Sequence, residues 1–210
     1  MAKQEREIVR YTANQRLNHW LIALSFVLLA VSGLALFHPA LFWLSNLLGG
    51  GTWTRILHPF IGVVMFVSFF SFALRLWGAN RMQATDWAWL KAVPKVISHQ
   101  EQGVPEAGKY NGGQKLLFWT LILLMLGLLA SGVLMWRTYF SFPVEFIRWA
   151  SMLHALFALV LVCAIIVHAY AGFWVKGSVR AMTRGTVTPG WAWKHHRKWY
   201  RKKVREVEPD

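Results

Sequence analysis

Cysteine is almost absent from this sequence of 210 residues, in which Cys163 stands alone within a long apolar run. A single cysteine excludes an intrachain disulfide framework and a cysteine-ligated cluster, so any redox centre must use other ligands. Acidic residues are also few, at 9 against 23 lysines and arginines, and the formal net charge is +14. Nucleic acid is nevertheless not indicated as a partner, because no zinc motif, RNP-like strand or basic recognition helix accompanies this charge.

Charged residues are missing from four long stretches, at residues 20–37, 56–74, 116–136 and 149–175. Each stretch has about the length that a helix needs to cross a bilayer. The sequence therefore predicts an all-α integral membrane protein, a four-helix bundle in a single domain over residues 1–210. We place the membrane helices at about residues 17–38, 54–77, 114–137 and 147–176, and a basic tail at 177–210.

The basic residues are distributed very unevenly between the segments outside these helices. The N-terminal arm, the 75–115 loop and the tail together with Lys176 carry 4, 6 and 10 of the 23. By the positive-inside rule these three segments and both termini are cytoplasmic, and the two short loops are periplasmic. The tail also interleaves tryptophans with lysines and arginines, which suits anionic membrane lipids or an acidic partner. A solvated basic tail is the alternative.

Two of the eight histidines, His154 and His168, lie 14 residues apart in the fourth predicted helix. At about 1.5 Å of rise and about 100° of rotation per residue, 14 residues advance a helix by roughly 21 Å and return it to within about 40° of the same face. The two imidazole rings therefore point in one direction but are too far apart to share a metal atom. We expect them to serve two metal sites, one toward each side of the membrane.

Each of those sites needs a second ligand at the same depth. His19, at the cytoplasmic start of the first helix, can pair with His168, and His58, near the periplasmic start of the second helix, can pair with His154. Imidazole is a good axial ligand for haem iron, and two imidazoles leave no open coordination position, which favours electron transfer over chemistry at the metal. The histidines therefore predict two bis-histidine haem b groups.

Other roles for the histidines stay open at this point. A single intramembrane histidine also serves in a hydrogen bond to a neighbouring helix or in a proton path. His38 competes with His58 for the periplasmic site, although the residue before Pro39 is pushed out of helical geometry. The remaining histidines lie in polar segments and are expected to be solvated or to face lipid; they are His99, His195 and His196.

Small and basic residues near the predicted sites indicate a function less specifically than the histidines do. The dipeptides Ser32-Gly33 and Ser131-Gly132 occupy similar positions in the first and third helices, where small residues would let a helix or a flat cofactor approach closely. Ordinary helix packing is the expected role, and approach of a cofactor is the alternative. Haem propionates need cations near the membrane surface. The candidates are Arg16, Arg55, Arg137 and Arg148.

Six segments, in loops as well as helices, carry a resemblance that runs nearly end to end. They are IVRYTANQRLNHW, RILHPFIGVVMF, GKYNGGQK, SGVLMWR, HALFALVLVCAIIVHAYAGFWVKGSVRAM and WAWKHHRKWY. They resemble the gamma, or cytochrome b, subunit of the membrane-bound, periplasm-facing formate dehydrogenases of bacteria. The resemblance implies a multi-pass protein of the inner membrane with the same ligand pairs. These are His58 with His154 for the periplasmic haem, and His19 with His168 for the cytoplasmic haem.

The resemblance also implies a quinone site and partner subunits. Menaquinone or ubiquinone would bind beside the cytoplasmic haem, at Asn111, Gly113, Gln114 and His168. An amide side chain and a backbone N–H can bond a quinone carbonyl, although by its residues alone the YNGG segment is a turn before the third helix. The implied partners are an iron–sulfur beta subunit and a catalytic alpha subunit with molybdenum or tungsten. The implied assembly is a trimer of heterotrimers.

Together these indications predict the di-haem subunit of a formate:quinone oxidoreductase, one that does not itself oxidise formate. Electrons would pass from a periplasmic iron–sulfur subunit across the inner membrane to quinone at the cytoplasmic side. One alternative is the cytochrome b subunit of a hydrogenase or of another quinone-linked dehydrogenase. The other is a haem-free membrane anchor or transporter subunit, in which the histidines form proton relays or structural hydrogen bonds.

Overall fold

The computed structural model describes residues 7–98, 100 and 102–207, with the backbone alone at 205–207. The α-helices of the described residues are α1 (Ala13–Phe37), α2 (Gly51–Leu76), α3 (Ala84–Lys91), α4 (Val93–Ile97), α5 (Gly112–Met135), α6 (Val144–Trp174), α7 (Ser178–Thr183), α8 (Pro189–His195) and α9 (Arg197–Val207). Two 3-10 helices cover Pro39–Leu48 and Gly78–Asn80, and two short strands are β1 (Ile8–Val9) and β2 (Thr186–Val187).

Four of these helices are long and apolar enough to cross a membrane. The helices α1, α2, α5 and α6 contain 25, 26, 24 and 31 residues. At about 1.5 Å per residue, each exceeds the roughly 30 Å of a bilayer's hydrocarbon core. Each begins and ends within about four residues of the span expected from the sequence. The prediction of four membrane helices is confirmed, while the side on which each terminus lies stays a prediction.

Reciprocal side-chain caps explain where two of the long helices begin. At the start of α1, the Gln15 N–H donates to Thr12 Oγ1 over 3.3 Å and the Thr12 N–H donates to Gln15 Oε1 over 3.0 Å. Asn111 and Gln114 make the same exchange at the start of α5, over 2.9 and 3.0 Å. Such bonds satisfy amide groups that have no partner inside the first helical turn. The YNGG segment therefore caps the third membrane helix.

The chain forms two compact units. The first unit contains the described residues of Met1–Arg16, Arg75–Trp119 and Tyr170–Asp210, and the second contains Leu17–Leu74 and Thr120–Ala169. Each of the four long helices has residues in both units.

A short antiparallel pairing of β1 with β2 joins distant segments of the first unit, with Ile8 opposite Val187. The carbonyl of Gly185 extends this contact by accepting N–H groups of Arg10 at 2.8 Å and Tyr11 at 3.1 Å. Gly185 has a φ of 85°, in the left-handed region that favours glycine. The all-α prediction missed this pairing because two-residue strands are too short to show an alternating pattern.

Close helix contacts and an apolar exterior characterise the second unit. Asn18 Nδ2 on α1 donates to the carbonyl of Ser68 on α2 over 2.9 Å. A Cβ atom placed on Gly127 of α5 would lie 2.6–3.0 Å from the Phe157 ring of α6, so only glycine permits this approach. Many large apolar side chains on these helices are more than half exposed, among them Leu24, Val67, Leu123 and Leu159. Lipid tails are as apolar as leucine, so such a surface suits a membrane.

Candidate functional site

Two pairs of histidines face each other between the helices of the second unit. The imidazole rings of His19 on α1 and His168 on α6 have centroids 6.3 Å apart, with an angle of 53° between their planes. The rings of His58 on α2 and His154 on α6 are also 6.3 Å apart, at 62°. The structure thus brings together the two pairs that were expected from depth in the membrane, and α6 contributes one histidine to each.

The spacing of both pairs fits a metal atom held between two imidazoles. A metal-bound imidazole nitrogen lies about 2 Å from its metal and the ring centroid about 1 Å further, so two opposed ligands have centroids roughly 6 Å apart. The observed 6.3 Å matches this separation. The residues therefore fit bis-histidine haem ligation, which itself stays a prediction.

No larger ligand cluster competes with these pairs in the part of the chain that the structure describes. There, no three His, Cys, Asp or Glu side chains come together in a way that could hold a metal ion. Haem iron needs only two axial ligands from the protein, since the porphyrin occupies the other positions.

The His58–His154 pair is held by two serines that the sequence did not reveal as part of the site. Ser32 Oγ on α1 lies 2.7 Å from His58 Nδ1, and Ser131 Oγ on α5 lies 2.9 Å from His154 Nδ1. The expectation of ordinary helix packing for the two Ser-Gly dipeptides was therefore incomplete. The signal that could have found this role is their recurrence in the first and third helices.

His38 lies outside both pairs. It is exposed, and its Nδ1 accepts the Ala40 N–H over 3.2 Å, so that it caps the 3-10 helix Pro39–Leu48. Its extended backbone, with φ of −135°, agrees with the restriction that Pro39 imposes. Between the two candidates of the sequence, the structure places His58 rather than His38 beside His154.

The implied quinone residues fall in both units. Asn111, Gly113 and Gln114 belong to the first unit and His168 to the second. In the first unit, Asn111 and Gln114 use their side-chain oxygens to cap α5. A Cβ atom on Gly113 would lie 3.2 Å from the Trp89 ring, so this residue packs tightly against α3. Their role in quinone binding stays a prediction.

One histidine of the tail was assigned wrongly from the sequence. His196 is neither solvated nor lipid-facing, since only 2% of it is exposed. Its Nδ1–H donates to the Gly108 carbonyl over 2.8 Å, and its Nε2 accepts from Arg10 Nη2 over 3.1 Å. Burial, together with the nearby Arg10 guanidinium, lowers the pKa of His196 to about 3. His195 is half-buried, and His99 lies outside the described residues.

The wrong expectation for His196 arose because the segment looked like a solvated basic tail. Aromatic rings of the first unit instead surround Arg10, whose guanidinium carbon lies 5.0 Å from the Trp191 ring centroid and 5.1 Å from that of Trp199. Arg10 Nη2 also donates to the Lys109 carbonyl over 2.7 Å. The tryptophans therefore bury a cation, which no periodic pattern in the sequence indicates.

Two of the arginines proposed for haem propionates have protein partners. Arg16 Nη1 donates to the Arg184 carbonyl over 2.8 Å, within the first unit. Arg148 pairs with Glu145 over 3.1 Å, and both side chains are well exposed. Neither contact bears on a propionate, and that role stays a prediction.

Four membrane-spanning helices with two facing histidine pairs define the class of membrane cytochromes of the b type. Comparison with known proteins agrees, because the family described as prokaryotic cytochrome b561 matches residues 10–185. The cytochrome b556(fdo) subunit of formate dehydrogenase from Escherichia coli K12 is 46% identical over 208 residues, covering 98% of each chain. The chain belongs to the prokaryotic cytochrome b561 family and, within it, to the formate dehydrogenase cytochrome b subunits.

Two further relatives have related names. The cytochrome b556 subunit of formate dehydrogenase from Haemophilus influenzae is 43% identical over 202 residues, which cover 95% of this chain and 85% of that protein. The cytochrome b556(Fdn) subunit of the nitrate-inducible formate dehydrogenase of Escherichia coli K12 is 39% identical over 200 residues, covering 94% and 92%. Membership of this family implies haem b as cofactor, and with the four apolar helices it makes the chain a multi-pass inner-membrane protein.

Proposed function

We propose that this chain is the di-haem subunit of a membrane-bound formate dehydrogenase and carries electrons across the inner membrane to menaquinone or ubiquinone. The observation that carries the proposal is the pair of 6.3 Å histidine contacts, each of which includes one residue of α6. His58 and His154 hold one haem b, and His19 and His168 hold the other. When bound, each haem accepts and releases a single electron.

The histidines restrict the chemistry of these two sites to electron transfer. Two imidazoles at each haem would leave no coordination position open for substrate or oxygen. All four histidines lie on the long apolar helices α1, α2 and α6. The protein thus orients the two groups, and it leaves formate oxidation to another subunit.

The direction of transfer follows from the proposed topology. The basic termini and the 75–115 loop face the cytoplasm by the positive-inside rule. The His58–His154 site then lies toward the periplasm and the His19–His168 site toward the cytoplasm. Each electron that crosses inward works against a membrane potential worth about 2.3 kcal/mol per 100 mV. Protons that enter the quinol come from the cytoplasm, so the reaction contributes to that potential.

The residues proposed to bind quinone are Asn111, Gly113 and Gln114, with His168. Capping of α5 occupies the side-chain oxygens of Asn111 and Gln114. Their amide NH2 groups are donors and remain suited to a quinone carbonyl, which only accepts hydrogen bonds. The cap therefore also orders the segment that is proposed to bind the quinone.

The donor must be a partner subunit, because this chain contains one cysteine and cannot ligate an iron–sulfur cluster. We propose an iron–sulfur beta subunit at the periplasmic side and a catalytic alpha subunit with molybdenum or tungsten. The relatives are named as formate dehydrogenase subunits, which supports formate as the substrate of that complex. Three such heterotrimers would form the complete assembly.

The test is haem content and the reduced-minus-oxidised spectrum of the purified protein, for wild type and for alanine variants of His19, His58, His154 and His168. We expect two haems b in wild type and the loss of one in each variant. His38→Ala is the matched control, because His38 is exposed and only caps a 3-10 helix, and this variant should keep both haems. A colourless wild type, or two haems in His168→Ala, would overturn the proposal.

The substrate is tested separately on the purified complex with its co-purifying subunits. Formate should reduce both haems, and added quinone should reoxidise them. Reduction by hydrogen but not by formate would instead assign the chain to a hydrogenase.

A further inference from the structure

We infer that Ser32 and Ser131 are positioning residues, which fix the ring orientation of His58 and His154 and lower the redox potential of that site. The inference rests on the proposed haem ligation by the two pairs. It concerns the two serines that contact the proposed ligands, for which helix packing was the expected role.

Both serines accept a hydrogen bond from the neighbouring histidine, because each donates its own hydroxyl proton to a backbone carbonyl. Ser32 Oγ donates to the Leu28 carbonyl over 2.7 Å, and Ser131 Oγ donates to the Gly127 carbonyl over 2.6 Å. A hydroxyl has one proton, so each Oγ is left to accept from the histidine beside it. With the hydroxyl protons assigned in this way, His58 and His154 carry their protons on Nδ1. This leaves Nε2 of both rings as the metal-binding nitrogen.

Burial makes both hydrogen bonds persistent. Ser32 is 0% exposed and Ser131 is 4% exposed, so water does not compete for either Oγ. The glycine after each serine leaves space at the ring edge. A Cβ atom on Gly33 would lie 3.6 Å from His58 Cε1, and one on Gly132 would lie 3.5 Å from His154 Cε1. Each Ser-Gly dipeptide therefore contacts its ring in the same two ways.

In the His19–His168 pair, at least one of the two imidazoles lacks such a hydrogen bond among the described residues. His19 Nδ1 is buried and has no hydrogen-bond partner among the described residues. The neighbours of the His19 ring are the aromatic side chains of Trp20 and Phe72, in edge contacts. The two histidine pairs therefore have equal spacing but different surroundings.

This difference has a predictable effect on redox potential. A hydrogen bond from Nδ1–H to an acceptor increases electron donation from Nε2 to the metal. Stronger donation stabilises the oxidised state, so the potential of the His58–His154 site is lowered. In the proposed topology that site receives electrons first. A lower potential there favours onward transfer to the His19–His168 site.

The experiment is a potentiometric titration of Ser32→Ala, Ser131→Ala and the double variant, each in the intact membrane complex. We expect both haems to be retained, one midpoint potential to rise, and the rise to be largest in the double variant. The other potential should not change. The electron paramagnetic resonance signal of the shifted site should change too, because the ligand rings are freed to rotate.

Two controls separate this role from general packing. Ser151→Ala removes a serine of α6 that donates only to the Arg148 carbonyl of its own helix, and it should leave both potentials unchanged. Ser32→Thr and Ser131→Thr retain the acceptor oxygen and should restore the wild-type potential. If the alanine variants lose haem altogether, these threonine variants decide the question.

The outcomes distinguish this inference from the proposed function. Two haems in wild type, with loss of one in His58→Ala, combined with unchanged or lowered potentials in the serine variants, would refute the positioning role alone. Failure of wild type to bind two haems would instead refute the ligation on which the inference depends.

Discussion

Lys115 on α5 forms a salt bridge of 2.7 Å with Asp86 on α3, and the two side chains are 9% and 10% exposed. Both ions have further partners. Lys115 Nζ donates to the Arg81 carbonyl over 3.0 Å, and Asp86 Oδ2 accepts the Gln83 N–H over 2.8 Å at the start of α3. The pair therefore joins the first turns of two helices within the first unit.

Removal of one member should leave the other buried without a counter-ion. We expect Lys115→Met to lower the free energy of unfolding by about 3–5 kcal/mol, the usual cost of breaking a buried pair from one side. Arg148→Met is the control, because its ion pair with Glu145 is 72% exposed on each side and should contribute less than about 1 kcal/mol. Unfolding of the detergent-solubilised protein measures both. Equal losses would contradict the role of burial.

The buried His196 predicts a loss of stability in acid. Its pKa is about 3 in the folded protein, against an ordinary histidine pKa of 6.5. The unfolded chain therefore binds more protons between these values. The contribution of His196 to stability is fully present above about pH 6.5 and is lost progressively as pH falls toward about 3.

His196→Gln keeps polar atoms at this position but does not titrate. Its stability should fall less steeply than that of wild type between pH 6.5 and 4, as measured by unfolding across this range. His38→Gln serves as the control, since His38 is exposed. If His196→Gln and wild type decline in parallel, His196 does not titrate on unfolding in this range.

The long helices and the histidine pairs could be predicted because both depend on regular patterns. Absence of charge over 20 residues marks a span, and a separation of 14 residues puts His154 and His168 on one face of a helix. Burial of His196 depends instead on contacts between segments nearly 190 residues apart, such as that with Arg10. No local pattern encodes such a contact, and basic residues around it suggested solvent.

The serines illustrate a second reason for incomplete prediction. Ser32 and Ser131 are visible in the sequence as a repeated dipeptide, but a serine in a membrane helix has several uses. Only the distances to His58 and His154 distinguish a partner of a ligand from a packing residue. The repeated dipeptide therefore marks the two positions in the sequence, and the hydrogen bonds in the structure show what the serines do there.

The contact between Gly127 and Phe157 predicts a steric requirement near the His58–His154 site. In Gly127→Ala the new methyl group would lie 2.6–3.0 Å from three atoms of the Phe157 ring. We expect overpacking to cost about 1–3 kcal/mol, reduced by the roughly 1 kcal/mol that alanine adds to helix stability. Gly172→Ala on α6 is the matched control, because nothing lies within 4 Å of its Cβ position. Thermal unfolding should show a loss in the first variant and none in the second.

Asn111 has two roles that a single substitution can separate. Its Oδ1 caps α5 by accepting the Gln114 N–H, while its NH2 group is the donor proposed for a quinone carbonyl. Asn111→Asp keeps the acceptor, and aspartate caps helices as well as asparagine does. It removes the donor, however. We therefore expect unchanged unfolding and haem content, together with a quinone KM raised about 2–10-fold, as the loss of one hydrogen bond of about 0.5–1.5 kcal/mol predicts.

Asn111→Ala should differ from Asn111→Asp by losing the cap as well, at a cost of about 1 kcal/mol in stability. Gln15→Glu tests the same kind of substitution in the equivalent cap of α1, where the Gln15 oxygen accepts the Thr12 N–H. It should affect neither stability nor the quinone KM, because glutamate is also favoured at this capping position. A normal KM in Asn111→Asp would show that the amide donor does not bind the quinone. The role of Asn111 would then be confined to beginning the third membrane helix.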